Sequence, residues 1–143
     1  MAIADFDRVV EQNHAAVDEF MRGNNRPLEH LYSRRDDVTL GNPFGPFVRG
    51  FDEVVEAMER AAMYYRDGKA IGFDLVTKEV TQDLAFVVEV ERLSSKVGDS
   101  EEETPVSLRV TSIFRNEDGE WKLLHRHADP ITSPRAAESV VQT

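Results

Sequence analysis

Residues 109–127 read Arg-Val-Thr-Ser-Ile-Phe-Arg-Asn-Glu-Asp-Gly-Glu-Trp-Lys-Leu-Leu-His-Arg-His. Two runs rich in β-branched and aromatic residues meet at Glu117-Asp118-Gly119, a tight-turn signal, so the stretch predicts an antiparallel hairpin. A turn over those residues sets Arg115 opposite Glu120. The same count places Ile113 by Lys122, Thr111 by Leu124 and Arg109 by Arg126. One face of the hairpin then carries Leu108, Val110, Ser112 and Phe114 with Trp121, Leu123, His125 and His127.

Working outward, strand-like segments also lie at about 70–80, 84–96 and 104–116, the last pair of strands closing at 120–129. Thr81-Gln82-Asp83 is a second tight turn, and the acidic stretch Gly98-Asp99-Ser100-Glu101-Glu102-Glu103 reads as a solvated loop. Together they predict an antiparallel meander. Along 84–92 the alternation sets Phe86, Val88 and Val90 against Ala85, Val87, Glu89 and Glu91, and predicts that the first set faces the core.

The chain before the meander has helical period. Ala4 to Arg22 places Phe6, Val10, Val17 and Phe20 or Met21 on one face, with a stop at Gly23-Asn24-Asn25. Pro27 suits the first turn of a short second helix bearing Leu28, Leu31 and Tyr32. Val38-Thr39-Leu40 reads as a short strand, and Gly41-Asn42-Pro43-Phe44-Gly45-Pro46 breaks regular structure. A third helix begins after Gly50 with Asp52 and Glu53 in its first turn. It carries Val54, Met58, Ala61, Ala62 and Tyr65 on one face and stops at Asp67-Gly68. Helices followed by a meander mean α+β, with three helices covering one face of a curved antiparallel sheet. The second face is too apolar for water, which predicts a homodimer through a sheet face that carries Trp121, His125 and His127.

Composition narrows the class. At 143 residues with 41% hydrophobic residues the chain suits one domain; its expected extent is 1–130, with 131–143 a loosely ordered tail. Zero cysteine removes disulfides and thiolate chemistry. A net charge of −10 with scattered basic residues argues against nucleic acid, and no run approaches the ~20 apolar residues of a membrane span. Met1 to Arg8 shows neither a basic start nor an apolar h-region, so the expected location is cytoplasmic.

Helix, helix, Val-Thr-Leu-Gly-Asn-Pro-Phe-Gly-Pro-Phe-Val-Arg-Gly, helix, four strands is an order that resembles the nuclear transport factor two-like superfamily, in particular its SnoaL-like and ketosteroid-isomerase-like members. The ending Ile113 to His127 is also similar to the terminal hairpin of the association domain of calmodulin-dependent kinase two. The resemblance spans residues 5 to 129. It implies a cone-shaped, cystatin-like sheet with a pocket between sheet and helices, and a dimer through the sheet. It implies no single activity, because this fold carries isomerases, dehydratases, cyclases, hydrolases and assembly domains.

Several residues are candidates for chemistry. In ketosteroid isomerases an Asp-Pro after the first short strand supplies the base. Here the matching dipeptide is Asn42-Pro43, and an amide cannot take that proton. Asn42 either hydrogen-bonds a ligand carbonyl or caps its turn. Arg109 and Arg126 as cross-strand neighbours would repel unless an anion lies between them, so they form either an anion clamp or a solvated pair with an acid nearby. Arg92 joins that face if Phe86, Val88 and Val90 point inward. Thr111 lies along the same hairpin, and Tyr65 offers a hydroxyl. His14, beside Val10 and Val17, is either a core histidine or the base of a catalysed reaction. His125, His127 and Asp129 share a face, but their spacing along a strand makes a common metal ion awkward, so no metal is expected, and no cofactor. Pairing of the histidines with Glu89 or Glu91 across the dimer face is the plainer reading.

The sequence thus leaves two functions open. One is a dimeric pocket protein that binds a small organic ligand, anions included, with cofactor-free isomerisation, cyclisation or hydration as its chemistry. The other is a non-catalytic association module.

Overall fold

The structure, a computed structural model, describes residues 3–142, without the side chains of residues 3 and 4. Helix α1 spans Ile3–Phe20, α2 Arg26–Leu31 and α3 Phe51–Ala62. The strands are β1 Thr39–Gly41, β2 Val48–Arg49, β3 Tyr65–Val80, β4 Leu84–Val97, β5 Glu103–Glu117 and β6 Glu120–Asp129. They form one curved sheet in the order β2-β1-β6-β5-β4-β3. All pairings are antiparallel except β1 with β6, which run parallel. This is the expected α+β arrangement of three helices on one face of a sheet.

Each helix is set by its apolar stripe and its ends. α1 buries Phe6, Ala16, Val17 and Phe20, with Met21 buried just after it, and the turn closes at Gly23, whose φ of +83° is the left-handed conformation that stops a helix. α3 buries Val54, Ala57, Met58, Ala61 and Ala62, and its first-turn Asp52 and Glu53 match the dipole. Phe6 meets Phe114 and Trp121 edge-on, each with ring centroids 5.3 Å away. Burying a large apolar side chain of this kind contributes about 1.5–3 kcal/mol, so the stripe of α1 fixes that helix on the sheet.

The third helix ends sooner than its apolar period suggests. Tyr65 opens β3 rather than closing α3, and Asp67-Gly68 is an irregularity within β3, between the paired Arg66 and Lys69. Gly68 packs so closely on the Ser94 carbonyl that a Cβ there would collide. Two further register shifts, at Ala70/Gly72 and Leu75/Thr77, bend β3 and curve the sheet.

The register of the last hairpin also differs from expectation. Asp118 and Gly119 have φ of 55° and 90°, a two-residue turn of the hairpin-favoring kind, and Asn116 Oδ1 accepts the Gly119 N–H at 2.9 Å. Glu117 therefore faces Glu120, Arg115 faces Lys122 and Phe114 faces Leu123. Ile113 then pairs with His125, leaving Leu124 as a bulge. Beyond it Ser112 pairs with Arg126, Thr111 with His127 and Arg109 with Asp129. Arg109 and Arg126 are thus on opposite faces, not neighbours.

The faces of β4 are the reverse of those expected. Ala85, Val87, Glu89, Glu91 and Leu93 are buried beneath the helices, while Phe86, Val88 and Val90 are half-buried on the outer face. Trp121, 5% exposed, lies on the inner side with Leu123, and the bulge turns His125 and His127 outward. The expected grouping of Trp121 with those histidines on one face is corrected accordingly. After Asp129 the chain runs exposed, with one 3-10 turn at Ala137–Val140.

Candidate functional site

A small cavity opens between the helices and the inner sheet face. Its walls are Val17 and Phe20 of α1, Met21 just after it, Leu28 of α2, Met58 and Ala61 of α3, and Leu40, Leu108 and Ala128 of the sheet. Polar atoms enter only from Asn42, Tyr65 and Arg126, and Phe44 sits at the mouth. The Phe44 ring lies 4.8 Å from that of Tyr64 and 6.0 Å from that of Tyr65. The free space is about 30 Å³, which suits a water rather than an organic molecule. A ligand can occupy it only if the Phe44 segment and the flexible methionines give way.

Arg126 forms the polar floor. Its Nη1 and Nη2 each donate to a Glu91 carboxylate oxygen at 2.8 Å, a bidentate pair with the Glu91 side chain fully buried. Burial works against the guanidinium charge, but the Glu91 carboxylate more than offsets it and keeps Arg126 protonated. The pair is neutral as a unit, so the cavity floor offers donors and acceptors without net charge. Burial also raises the Tyr65 phenol to about 12, so it is a neutral hydroxyl at physiological pH. Tyr32, beneath β1, donates to the Thr39 carbonyl at 3.0 Å and is likewise held neutral by burial.

The residues singled out in the sequence fall into separate groups. Asn42, Tyr65 and Arg126 meet in the cavity. Asn42 uses its Oδ1 to accept the Phe44 N–H at 2.9 Å, a turn cap that also fixes the mouth. Arg92 and Arg109 lie outside, on the opposite face of the sheet. Arg92 pairs with Asp74 at 2.9 Å and Arg109 with Asp129 at 2.7 Å, both in exposed positions. Thr111 is on that outer face too, beside Phe86 and Ile113. The expected clamp of Arg92, Arg109 and Arg126 is therefore not formed: strand parity sends the first two outward, and the Leu124 bulge turns Arg126 inward.

His14 does not line the cavity. Its Nε2 is 2.7 Å from Glu89 Oε1, and its ring stacks on Phe73 at 3.7 Å with an interplanar angle of 6°. On the outer face, His125 Nδ1 is 2.7 Å from Thr39 Oγ1, and burial followed by the neighbouring His127 lowers its pKa. His127 stands 3.5 Å from Asp129. Neither histidine meets Glu89 or Glu91, which point into the core. Among the described residues no group of three or more His, Asp or Glu is placed to hold a metal ion, and no helix is long and apolar enough to cross a membrane.

Glu89 and Glu91 are the functional candidates that sequence reasoning missed. A signal existed: the inner set Ala85, Val87, Leu93 brackets them with apolar residues, so the same face must carry both acids. The bulkier Phe86, Val88 and Val90 drew the assignment the other way.

Comparison with known proteins agrees with this architecture. The SnoaL-like domain family matches residues 9–132. A ketosteroid isomerase-like protein from Erwinia carotovora atroseptica superposes with a TM-score of 0.74 at 19% identity, over 92% of this chain and 97% of that one. A dehydratase candidate of the nuclear transport factor 2-like family from Streptomyces avermitilis gives 0.71 at 20% identity, over 92% and 96%. A candidate calcium/calmodulin-dependent protein kinase type II association domain from Thiobacillus denitrificans gives 0.71 at 17%, over 87% and 93%. At such identities these likenesses describe the fold. None of the curated proteins compared with the chain matches it.

Proposed function

We propose that this chain, which belongs to the SnoaL-like domain family, is a pocket protein that takes a small, largely apolar organic molecule into the cavity behind Phe44. The observation that carries the reading is the contrast between a mostly apolar lining and a charge-neutral floor, Arg126 locked on Glu91, beside the Tyr65 hydroxyl. A free carboxylate would find no uncompensated cation there, so the ligand class shifts from anions to neutral molecules with one oxygen function. Cofactor-free isomerisation, cyclisation or hydration is the chemistry that such a cavity would host.

The test is thermal unfolding of the wild type with matched panels of neutral ketones, phenols and lactones and of carboxylates. At a ligand concentration about a hundredfold above Kd the stabilisation is about 2.7 kcal/mol, several degrees in Tm. Neutral compounds should stabilise the wild type and not Ala61→Phe, which fills the cavity. A silent panel, or an undiminished response in a folded Ala61→Phe, overturns the proposal.

A second reading, self-association, is favored by the outer sheet face. Phe86, Val88, Val90 and Ile113 are half-buried there with no helix over them, and a second copy of the chain would cover them. The two readings are compatible, since cavity and outer face lie on opposite sides of the sheet.

A further inference from the structure

A second hollow lies against the first, on its solvent side. Val48 of β2, Ala57 and Arg60 of α3, Tyr64 just beyond that helix and the loop residues Gly45 and Pro46 belong to it alone, and its free volume is about 120 Å³. Leu40, Asn42, Phe44 and Ala61 line both hollows, so these residues are the wall between them. Together the two spaces come to about 150 Å³, the size of an apolar cavity that binds benzene.

One large side chain of that wall is free to move. Leu40 and Ala61 are buried within β1 and α3. Phe44 is 46% exposed, and residues 43–46 of its loop make one hydrogen bond among the described residues, from the Phe44 N–H to Asn42 Oδ1. The Phe44 ring stands between the hollows, 4.8 Å from the ring of Tyr64, which lines only the outer one, and 6.0 Å from that of Tyr65, which lines only the inner. Gly45, next in the chain, has open space where a side chain would stand. At the end of the loop the Phe47 ring is seated against Gly41, 5.5 Å from the ring of His127. The loop is thus pinned at its ends and loose in its middle, and a rotamer change takes the Phe44 ring out of the wall without disturbing β1 or β2.

The hollows also differ in chemistry. The inner one is apolar apart from its neutral floor and Tyr65, whereas Asn42, Arg60 and Tyr64 make the outer one half polar. The ion pair of Arg60 is an exposed contact with Glu56, one turn earlier, at 3.0 Å. Such a pair contributes little and leaves the guanidinium open to another acceptor. We propose that the two hollows are halves of one elongated binding site divided by the Phe44 ring, which takes a neutral molecule with an apolar ring inside and a carbonyl or ester oxygen at its outer end, on Arg60. The inference rests on the inner cavity being the ligand site and adds the length and the second oxygen of what it takes.

The test uses the full chain and two neutral probes in isothermal titration calorimetry, acetophenone and methyl 3-(4-acetylphenyl)propanoate, the same ketone with an ester tail. Acetophenone takes the inner hollow and the space that the ring vacates, and the ester tail also enters the outer hollow. The wild type should bind the ester about tenfold more tightly, through its added buried carbons and one hydrogen bond from a charged donor. Ala57→Leu, which fills the outer hollow alone, and Arg60→Met, which removes the donor, should each cut that advantage to less than about threefold by weakening the ester rather than acetophenone, with the folded state retained by circular dichroism. The nuclear Overhauser contact between the Phe44 and Tyr64 rings should vanish when the wild type is saturated with the ester. Equal affinity for the two probes, an undiminished advantage in Arg60→Met, whose exposed position spares the fold, or persistence of that contact overturns the divided site. Acetophenone binding that is lost in Ala61→Phe then leaves the cavity reading standing. If neither probe binds, the cavity reading fails and the divided site with it.

Discussion

Arg126 lays both terminal nitrogens on the two carboxylate oxygens of Glu91, each at 2.8 Å, across the intervening strand β5 and out of contact with bulk water. A pair so placed is unforgiving of partial removal, because either partner left alone is an uncompensated buried charge.

Glu91→Gln and Arg126→Met should each therefore destabilise the fold by about 3–5 kcal/mol in urea unfolding. The double variant Glu91→Gln/Arg126→Met, with both charges gone, should lose much less stability than the sum of the two single losses. Additive losses would mean that the two side chains do not act as a pair.

The terminal hairpin can be tested at its turn. Gly119 has φ of +90°, where an L side chain is strained, so Gly119→Ala should cost about 1–2 kcal/mol. Glu120→Ala, next to it and exposed, should cost less than about 0.5 kcal/mol. Comparable losses for both would contradict the two-residue turn and the register that follows from it.

Tyr65 makes stability depend on alkaline pH. Its phenol is raised to about 12 in the folded state, whereas an unfolded tyrosine ionises near pH 10. Above about pH 10 the unfolded chain releases this proton and the folded chain keeps it, so stability is present below pH 10 and is lost as pH rises toward 12. Tyr65→Phe should flatten that part of the curve in urea titrations from pH 9 to 11.5; an unchanged slope would contradict the burial of the hydroxyl.

The outer face makes its own prediction. If two copies meet there, Val88→Arg places a charge in the middle of the contact and should convert a wild-type dimer to a monomer, as read by light scattering on a sizing column. A monomeric wild type removes the self-association reading, and a dimeric Val88→Arg moves the interface elsewhere.

The fold was legible because its signals are local. The helical stripe of Phe6, Val17 and Met21, the breaks at Gly23 and Pro43, and the change to strand period near residue 70 each depend on a few neighbouring residues. The site was less so, because its contents depend on parity. Asn42 sits at the cavity whatever its exact partners, but whether Arg126 faces it or lies outside with Arg109 turns on a single skipped residue. No propensity marks Leu124 as that residue: Leu123 and Leu124 are identical side chains. The inner acids were obscured for a related reason. Phe86, Val88 and Val90 outweigh Ala85 and Val87 in bulk, and bulk is a poor guide to facing when both faces of a sheet are partly covered. Tyr65 moved from helix to strand because α3 and β3 abut with only Met63 and Tyr64 between them.

The skipped residue also says where this chain can change length. Leu124 pairs with nothing in the ladder, so its deletion would join Leu123 to His125 with their present facings intact. Removal of Lys122 has no such escape: everything between the turn and the bulge slips by one, and side chains now inside exchange with those outside. Relatives that differ by one residue in this strand should therefore differ at the bulge, and a shorter strand there need not mean a different interior.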